Sequence, residues 1–225
     1  MILPRTILFD LDGTLVDTAP DLAGAMNCVL AHFGRPAVSV AAVRDMVGHG
    51  ARATIAKGLD LTGGGDMAMV EAGVPLFLEY YEAHIADSSA PWPGVEQALD
   101  ALAAAGCRLG ICTNKPTALS RALISALGWE GRFGANVGGD VLAVRKPDPA
   151  HVLEALTLLG GQAGDAAFVG DSIVDVSAAR NAGLPVVAVS FGYSDRPAAE
   201  LGADVLIDHF DHLLPALHGF VGMAQ

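Results

Sequence analysis

Basic residues are scarce in this 225-residue chain: 13 lysines and arginines stand against 25 aspartates and glutamates, a formal net charge of −12. A surface of that sign repels phosphate backbones and anionic lipid, and no local basic cluster reverses it, which argues against nucleic acid and membrane partners. Cysteine is also sparse. Cys28, Cys107 and Cys112 are odd in number and form no C-x-x-C pair, so no disulfide framework is encoded and a reducing cytoplasm suits them. The seven histidines include no H-E-x-x-H spacing, which argues against zinc chemistry. No apolar run approaches the roughly 18 residues of a membrane span. The N-terminus, Met1-Ile-Leu-Pro-Arg5, lacks a signal-peptide pattern, and internal repeats and low-complexity tracts are missing.

What is present is an apolar fraction of 52% with 17% charged residues, the balance of a globular protein with a sizeable core. From Val95 onward, helical patterns alternate with short β-rich runs. Val95 to Gly106, Thr117 to Gly128, Lys146 to about Gly160 and Ser177 to Ala182 read as helices. Arg108–Thr113, Ala166–Gly170, Leu184–Ser190 and Asp204–Asp208 read as strands, joining an N-terminal strand at Thr6–Phe9. Such alternation predicts an α/β fold, a Rossmann-like parallel sheet with helices on both faces. Between the first strand and this region, Asp21–Phe33, Ala41–Val47, Ala51–Leu59 and Met67–Ile85 carry helical periodicity without a strand, and Gly73 and Pro75 should bend or break the last helix. The expected division is an α/β core of residues 1–16 and 88–225, with an all-helical insertion at 17–87.

The first strand ends in Phe9-Asp10-Leu11-Asp12-Gly13-Thr14, two carboxylates placed where an open parallel sheet binds its ligands. Three other polar stretches follow apolar runs: Thr113-Asn114-Lys115, Lys146 at a helix start, and Gly170-Asp171-Ser172 with Asp175 four residues on. Gathered at one rim, the four aspartates would repel one another by ~4 kcal/mol per close pair at an effective dielectric of 20. One lysine cannot offset them. A divalent cation can, and an oxygen-only ligand set predicts Mg²⁺.

These four stretches, DxDGT, Thr-Asn, KPDP and GDSxxD, resemble in content and order the signature motifs of the haloacid dehalogenase superfamily of phosphatases, and the helical insertion resembles that superfamily's cap. The resemblance implies hydrolysis of a small phosphomonoester through an aspartyl phosphate, and the overall pattern is most similar to members acting on 2-phosphoglycolate. It implies Asp10 as nucleophile and Asp12 as acid and base. Asp10, Asp171 and the Asp12 carbonyl would hold the metal, with Asp175 behind them steadying metal-bound water. Thr113 and Asn114 would bind the phosphoryl group, and Lys146 would balance its charge.

Other positions have plainer readings. Asp10 alone fits a helix cap, Lys146-Pro147-Asp148-Pro149 a helix start, and Asp175 an exposed helix residue. Thr14 is expected to orient Asp12, and Asp17 to be a solvated turn residue. Gly48-His49-Gly50-Ala51-Arg52-Ala53 matches a dinucleotide pattern but follows a helix-like segment. It resembles the glycine-bracketed substrate-specificity loop of the superfamily's helical caps, which implies that His49 and Arg52 meet the non-phosphate end of a substrate; the plainer reading is a solvated cap helix. Asp208–His212 reads as a polar helix start. A phosphosugar phosphatase or a phosphomutase of the same superfamily, as monomer or homodimer, shares every motif. A dehalogenase needs neither Asp12 nor a metal, and a phospho-receiver module has no place for the insertion.

Overall fold

Four buried residues, Thr6–Phe9, form strand β1, and their alternation divides the molecule's interior. Ile7 and Phe9 enter one apolar core and Leu8 enters the other, because successive side chains of a strand face opposite sides of its sheet. The computed structural model, which describes residues 2–194 and 196–220, sets β1 in the middle of a six-stranded sheet.

In chain order β1 is followed by β2 (Val16–Asp17), helices α1 (Ala19–His32), α2 (Val40–Arg44), α3 (Ala51–Leu61) and α4 (Met67–Ala83), then β3 (Ala90–Pro91). Next come α5 (Val95–Ala104), β4 (Arg108–Cys112), α6 (Thr117–Ala126), β5 (Ala135–Val137) and α7 (Pro149–Leu158). The chain continues through β6 (Ala166–Gly170), α8 (Ile173–Asn181), β7 (Val186–Val189), β8 (Val205–Ile207) and α9 (Leu213–His218). The sheet runs β5-β4-β1-β6-β7-β8, all parallel. Helices α5, α6 and α9 pack on the face of Ile7 and Phe9, and α7 and α8 on the face of Leu8. Among the described residues, no helix is long and apolar enough to cross a membrane.

Register sets the site. Phe9 lies opposite Ile111 of β4 on one side and Val169 of β6 on the other. The residues just beyond these three strands therefore emerge level with one another, at the point where strand order reverses and ligands of such sheets bind.

Helices α1–α4 pack around their own apolar cluster, which includes Leu22, Met26, Leu30, Ile55, Phe77 and Tyr81. The chain enters this helical unit through β2 and leaves it through β3, which pair as a two-stranded antiparallel ribbon. Neither strand is predicted by sequence, since two residues are too few to show a period. Helix α4 runs unbroken through Pro75. Proline inside a helix costs about 3 kcal/mol, whereas burial of Val70, Phe77 and Tyr81 contributes about 1.5–3 kcal/mol for each large apolar side chain, so packing prevails. Helix α8 begins four residues earlier than expected, at Ile173, because Ser172 and Asp175 form a reciprocal capping box. The short strand β5 was hidden by its length. Around Asp208–His212 the chain makes a single 3₁₀ turn, Phe210–His212, leading into α9.

Candidate active site

Asp10 continues β1 into the rim, its amide donating to Val169 O at 3.0 Å, so the sheet ladder itself aims the carboxylate. Lys146 Nζ lies 2.9 Å from Asp10 Oδ1 and 2.6 Å from Asp175 Oδ1, and all three side chains are buried. The approach to Asp10 is a Coulombic contact rather than a well-angled hydrogen bond, which leaves Asp10 Oδ1 buried with no hydrogen-bond partner. Burial pushes the Asp10 carboxyl up to about 6, against the pull of Lys146. For Lys146 burial opposes the charge, but Asp10 and Asp175 outweigh it and hold its pKa well above the ordinary lysine value.

Asp171, beyond β6, is held on both oxygens. Thr14 Oγ1 donates to Oδ1 at 2.9 Å and the Tyr193 amide donates to Oδ2. Burial, then Asp175 and Asp10, pushes its pKa well up. Ligand oxygens of Asp10, Asp171 and Asp175 lie within 4.8 Å of one another. Asp175 Oδ2 is already engaged by the amides of Asp171 and Ser172 and by Ser172 Oγ, so its second oxygen braces the turn while its first meets Lys146. Three clustered carboxylates, of which Asp10 and Asp171 have raised proton affinity, could hold a divalent cation with oxygen ligands.

Gly13 makes this closeness attainable. Its φ is +82°, and a Cβ there would sit 2.4 Å from Asp171 Oδ2, so only glycine lets the turn after Asp12 pass the carboxylate. Gly192 is as constrained on the other side, where a Cβ would lie 2.2 Å from Asp171 Cβ.

Asp12 faces a different set of partners. Thr18 Oγ1 donates to its Oδ1 at 2.7 Å, and Lys115 Nζ approaches Oδ1 at 2.9 Å and Oδ2 at 3.2 Å. Lys115 also donates to the Tyr81 hydroxyl of α4 at 2.6 Å, so it stands between the sheet and the helical unit. Burial lowers its pKa, and Asp12 partly restores it. Thr113 is buried at the end of β4, its amide bonded to Val137 O at 3.0 Å. Asn114 Nδ2 donates to Lys146 O at 3.1 Å and to Gly48 O of the helical unit at 3.3 Å. A cleft opens over Asp10, Asp12, Thr113, Asn114, Lys115 and Asp171.

The structure thus gathers Asp10, Asp12, Thr113, Asn114, Lys146, Asp171 and Asp175 at one rim. It does not bring Arg52 there. The Arg52 guanidinium makes a bidentate pair with Glu71 of α4, at 2.7 and 3.0 Å, two-thirds exposed. His49 is exposed and does not line the cleft, although its neighbours Gly48 and Gly50 do. Gly50 instead supplies the start of α3, at φ +87°.

Two expectations need correction. Thr14 orients Asp171, and the residue that holds Asp12 is Thr18. Asp17 is no solvated turn residue: it accepts from the Tyr193 hydroxyl and pairs with Arg44 at 2.7 Å, fixing the entry to the helical unit. Sequence reasoning also missed Lys115 and Tyr193 as site residues. Lys115 had a readable signal, a cation directly after Thr113-Asn114 at a strand end. Tyr193 had only its place in the loop after β7.

Comparison with known proteins agrees with this arrangement. The profile of the haloacid dehalogenase-like hydrolases matches residues 4–183. A phosphoglycolate phosphatase of Caulobacter vibrioides is 48% identical over 206 residues, covering 91% of this chain and 87% of the relative, and one of Mesorhizobium japonicum is 47% identical over 208 residues, covering 92% of each. A crystal structure described as a predicted phosphoglycolate phosphatase from Haemophilus somnus superposes with a TM-score of 0.88 at 32% identity, covering 94% of this chain and 97% of that one. CbbY from Rhodobacter sphaeroides, solved in complex with phosphate, gives 0.81 at 27% identity, over 96% and 100%. With its rim of aspartates, its two buried lysines and near full-length likeness to these enzymes, the chain belongs to the haloacid dehalogenase-like hydrolase family.

Proposed function

We propose that the protein is a Mg²⁺-dependent phosphomonoester hydrolase that converts 2-phosphoglycolate to glycolate and phosphate. The observation that carries the chemistry is the contrast between two neighbouring carboxylates. Asp10 faces Lys146 and the acidic cluster, while Asp12 faces the cleft beneath the helical unit. Two relatives named phosphoglycolate phosphatase support the choice of substrate.

An Asp10 oxygen attacks phosphorus in line, the ester P–O bond breaks, and the electron pair leaves with the alkoxide. Asp12 gives its proton to that oxygen, releasing glycolate. It then takes a proton from the water that attacks the aspartyl phosphate, which returns Asp10 and frees inorganic phosphate. Asp10 and Asp171, with the Asp12 carbonyl, would hold the cation, and Asp175 stands behind them. When bound, Mg²⁺ supplies positive charge against the phosphoryl oxygens and lets phosphate approach the anionic rim. Lys146 and the Thr113 hydroxyl meet the same oxygens from the protein side. Helices α1–α4 act as a cap that excludes bulk water and bulky substrates. Three free cysteines suit a cytoplasmic enzyme.

The test is phosphate release across small phosphomonoesters with Mg²⁺, ranked by kcat/KM, on the native protein and on Asp10→Asn. The reading expects 2-phosphoglycolate first, reversible arrest by EDTA, and a loss of roughly 10⁴-fold or more in the variant. Turnover that survives Asp10→Asn, or that ignores chelation, would overturn it.

A further inference from the structure

A small phosphorylated acid carries its negative charge at two ends, and Lys146 with the metal site can serve only one. Among the described residues lining the cleft, Lys115 is the one cationic side chain. Away from the sheet rim the lining is largely apolar, from Leu22, Val47, Phe77, Leu78 and Leu119. A carboxylate brought against such a surface without a cation would lose its hydration uncompensated. We infer that Lys115, steadied by Tyr81, is the specificity residue that receives the substrate's carboxylate. The inference rests on the phosphoglycolate reading above.

The length of the substrate supports this placement. In 2-phosphoglycolate the carboxylate carbon is two bonds of about 1.5 Å from the ester oxygen, and that oxygen takes its proton from Asp12. A cation that recognises the carboxylate must therefore sit within reach of Asp12's own partners. Lys115 Nζ lies 2.9 Å from Asp12 Oδ1 and 2.6 Å from the Tyr81 hydroxyl. Arg52, anchored on Glu71 outside the cleft, does not meet that condition.

The lysine is held in place by the protein's own groups: its ammonium offers three N–H donors, and Asp12 and the Tyr81 hydroxyl engage them. An incoming carboxylate competes with Asp12 for the ammonium, exchanging one charged acceptor for another. The Tyr81 hydroxyl brings α4 into the exchange, so the residue that senses the acid also touches the helical unit. An alkyl phosphate of similar length, whose tail carries no charge, has no second anionic group to offer Lys115.

Ethyl phosphate is that control, since it replaces the carboxylate by a methyl group and keeps the phosphate and ester oxygen. Both substrates are assayed with Mg²⁺ on the native protein and on Lys115→Met, which keeps the aliphatic stem. The expected result is a native preference for 2-phosphoglycolate, read as the ratio of the two kcat/KM values, that falls about 100-fold or more in the variant; any loss transmitted through Asp12 is common to both substrates and cancels in that ratio. Equal losses on both substrates would overturn the inference, because Lys115 would then act only through Asp12, while the native preference would leave the phosphoglycolate reading standing. A native protein with no preference for the acid would overturn both. Should Lys115→Met not fold, Lys115→Arg decides: it retains the charge and should keep at least about a tenfold preference, and an Arg variant that hydrolyses ethyl phosphate with the preference gone would refute the assignment.

Discussion

Tyr193 is joined to Asp171 through its main-chain amide and, through its phenol, to the point where the chain enters the helical unit. Its hydroxyl donates to Asp17 and accepts from the Ala19 amide at 2.8 Å. One buried residue thus ties an aspartate of the proposed metal site to the root of α1, and its two attachments can be separated by substitution.

Tyr193→Phe removes only the hydroxyl. It leaves the Ala19 amide and an Asp17 oxygen without this partner, at a cost of about 1–3 kcal/mol. In a chain of this size that corresponds to a fall of roughly 2–12 °C in Tm. Because the amide on Asp171 is untouched, the Mg²⁺ concentration for half-maximal activity should stay where it is, read by titrating phosphate release.

Gly192→Ala makes the opposite cut. A methyl group 2.2 Å from Asp171 Cβ cannot be accommodated unless the loop moves, which withdraws the Tyr193 amide from Asp171. Half-saturation by Mg²⁺ should rise about 10- to 100-fold, as when other outer partners of metal ligands are lost. An unchanged titration would mean that this loop does not position Asp171.

The pH dependence of the metal-free protein follows from Asp10, pushed up to about 6 by burial, and from Asp171, raised by burial and its acidic neighbours. Their folded-state values exceed the unfolded ones, and for Asp10 this means that between about pH 4 and 6 the folded state keeps a proton that the unfolded chain has released. These groups therefore favour the fold in acid, and their contribution declines as pH rises through that window. A bound cation competes with the same protons. The rise in Tm on adding Mg²⁺ should be small near pH 5 and larger at pH 7, measurable by thermal melts with and without the ion.

Arg52→Ala should leave kcat/KM for 2-phosphoglycolate within about twofold of the native value, because it removes an exposed pair outside the cleft. A large rise in KM would place Arg52 in the substrate's path and restore it as a binding residue.

Much of the fold was legible because β1, β4, β6 and β7 are buried on both faces and so read as nearly unbroken apolar runs. Asp10, Asp12 and Asp171 stood out for the complementary reason that carboxylates at the ends of such runs need a physical justification, while the roles expected of them and of Asp175 came from the resemblance of their motifs. What escaped depends on contacts distant in sequence. Thr14 and Thr18 are both threonines near Asp12, and only the folded turn shows that the nearer one serves Asp171 and the farther one Asp12. Arg52 invited a functional reading from its charge and its place beside a glycine-bracketed loop, but Glu71, nineteen residues on, captures it. The sequence contains three lysines, Lys57, Lys115 and Lys146. That two of them are buried beside aspartates is a clue visible only once burial is known.

Both passages between the sheet and the helical unit run through the two-stranded ribbon of Val16–Asp17 and Ala90–Pro91. The excursion thus begins and ends at neighbouring residues, as at a single doorway. Segments inserted this way can grow, shrink or be exchanged with little effect on the pairing of the strands outside them, because loop-closure entropy changes only slowly with length. The rim and the roof above it are thereby separable, so that an altered roof can change what is admitted while the carboxylates below keep their places.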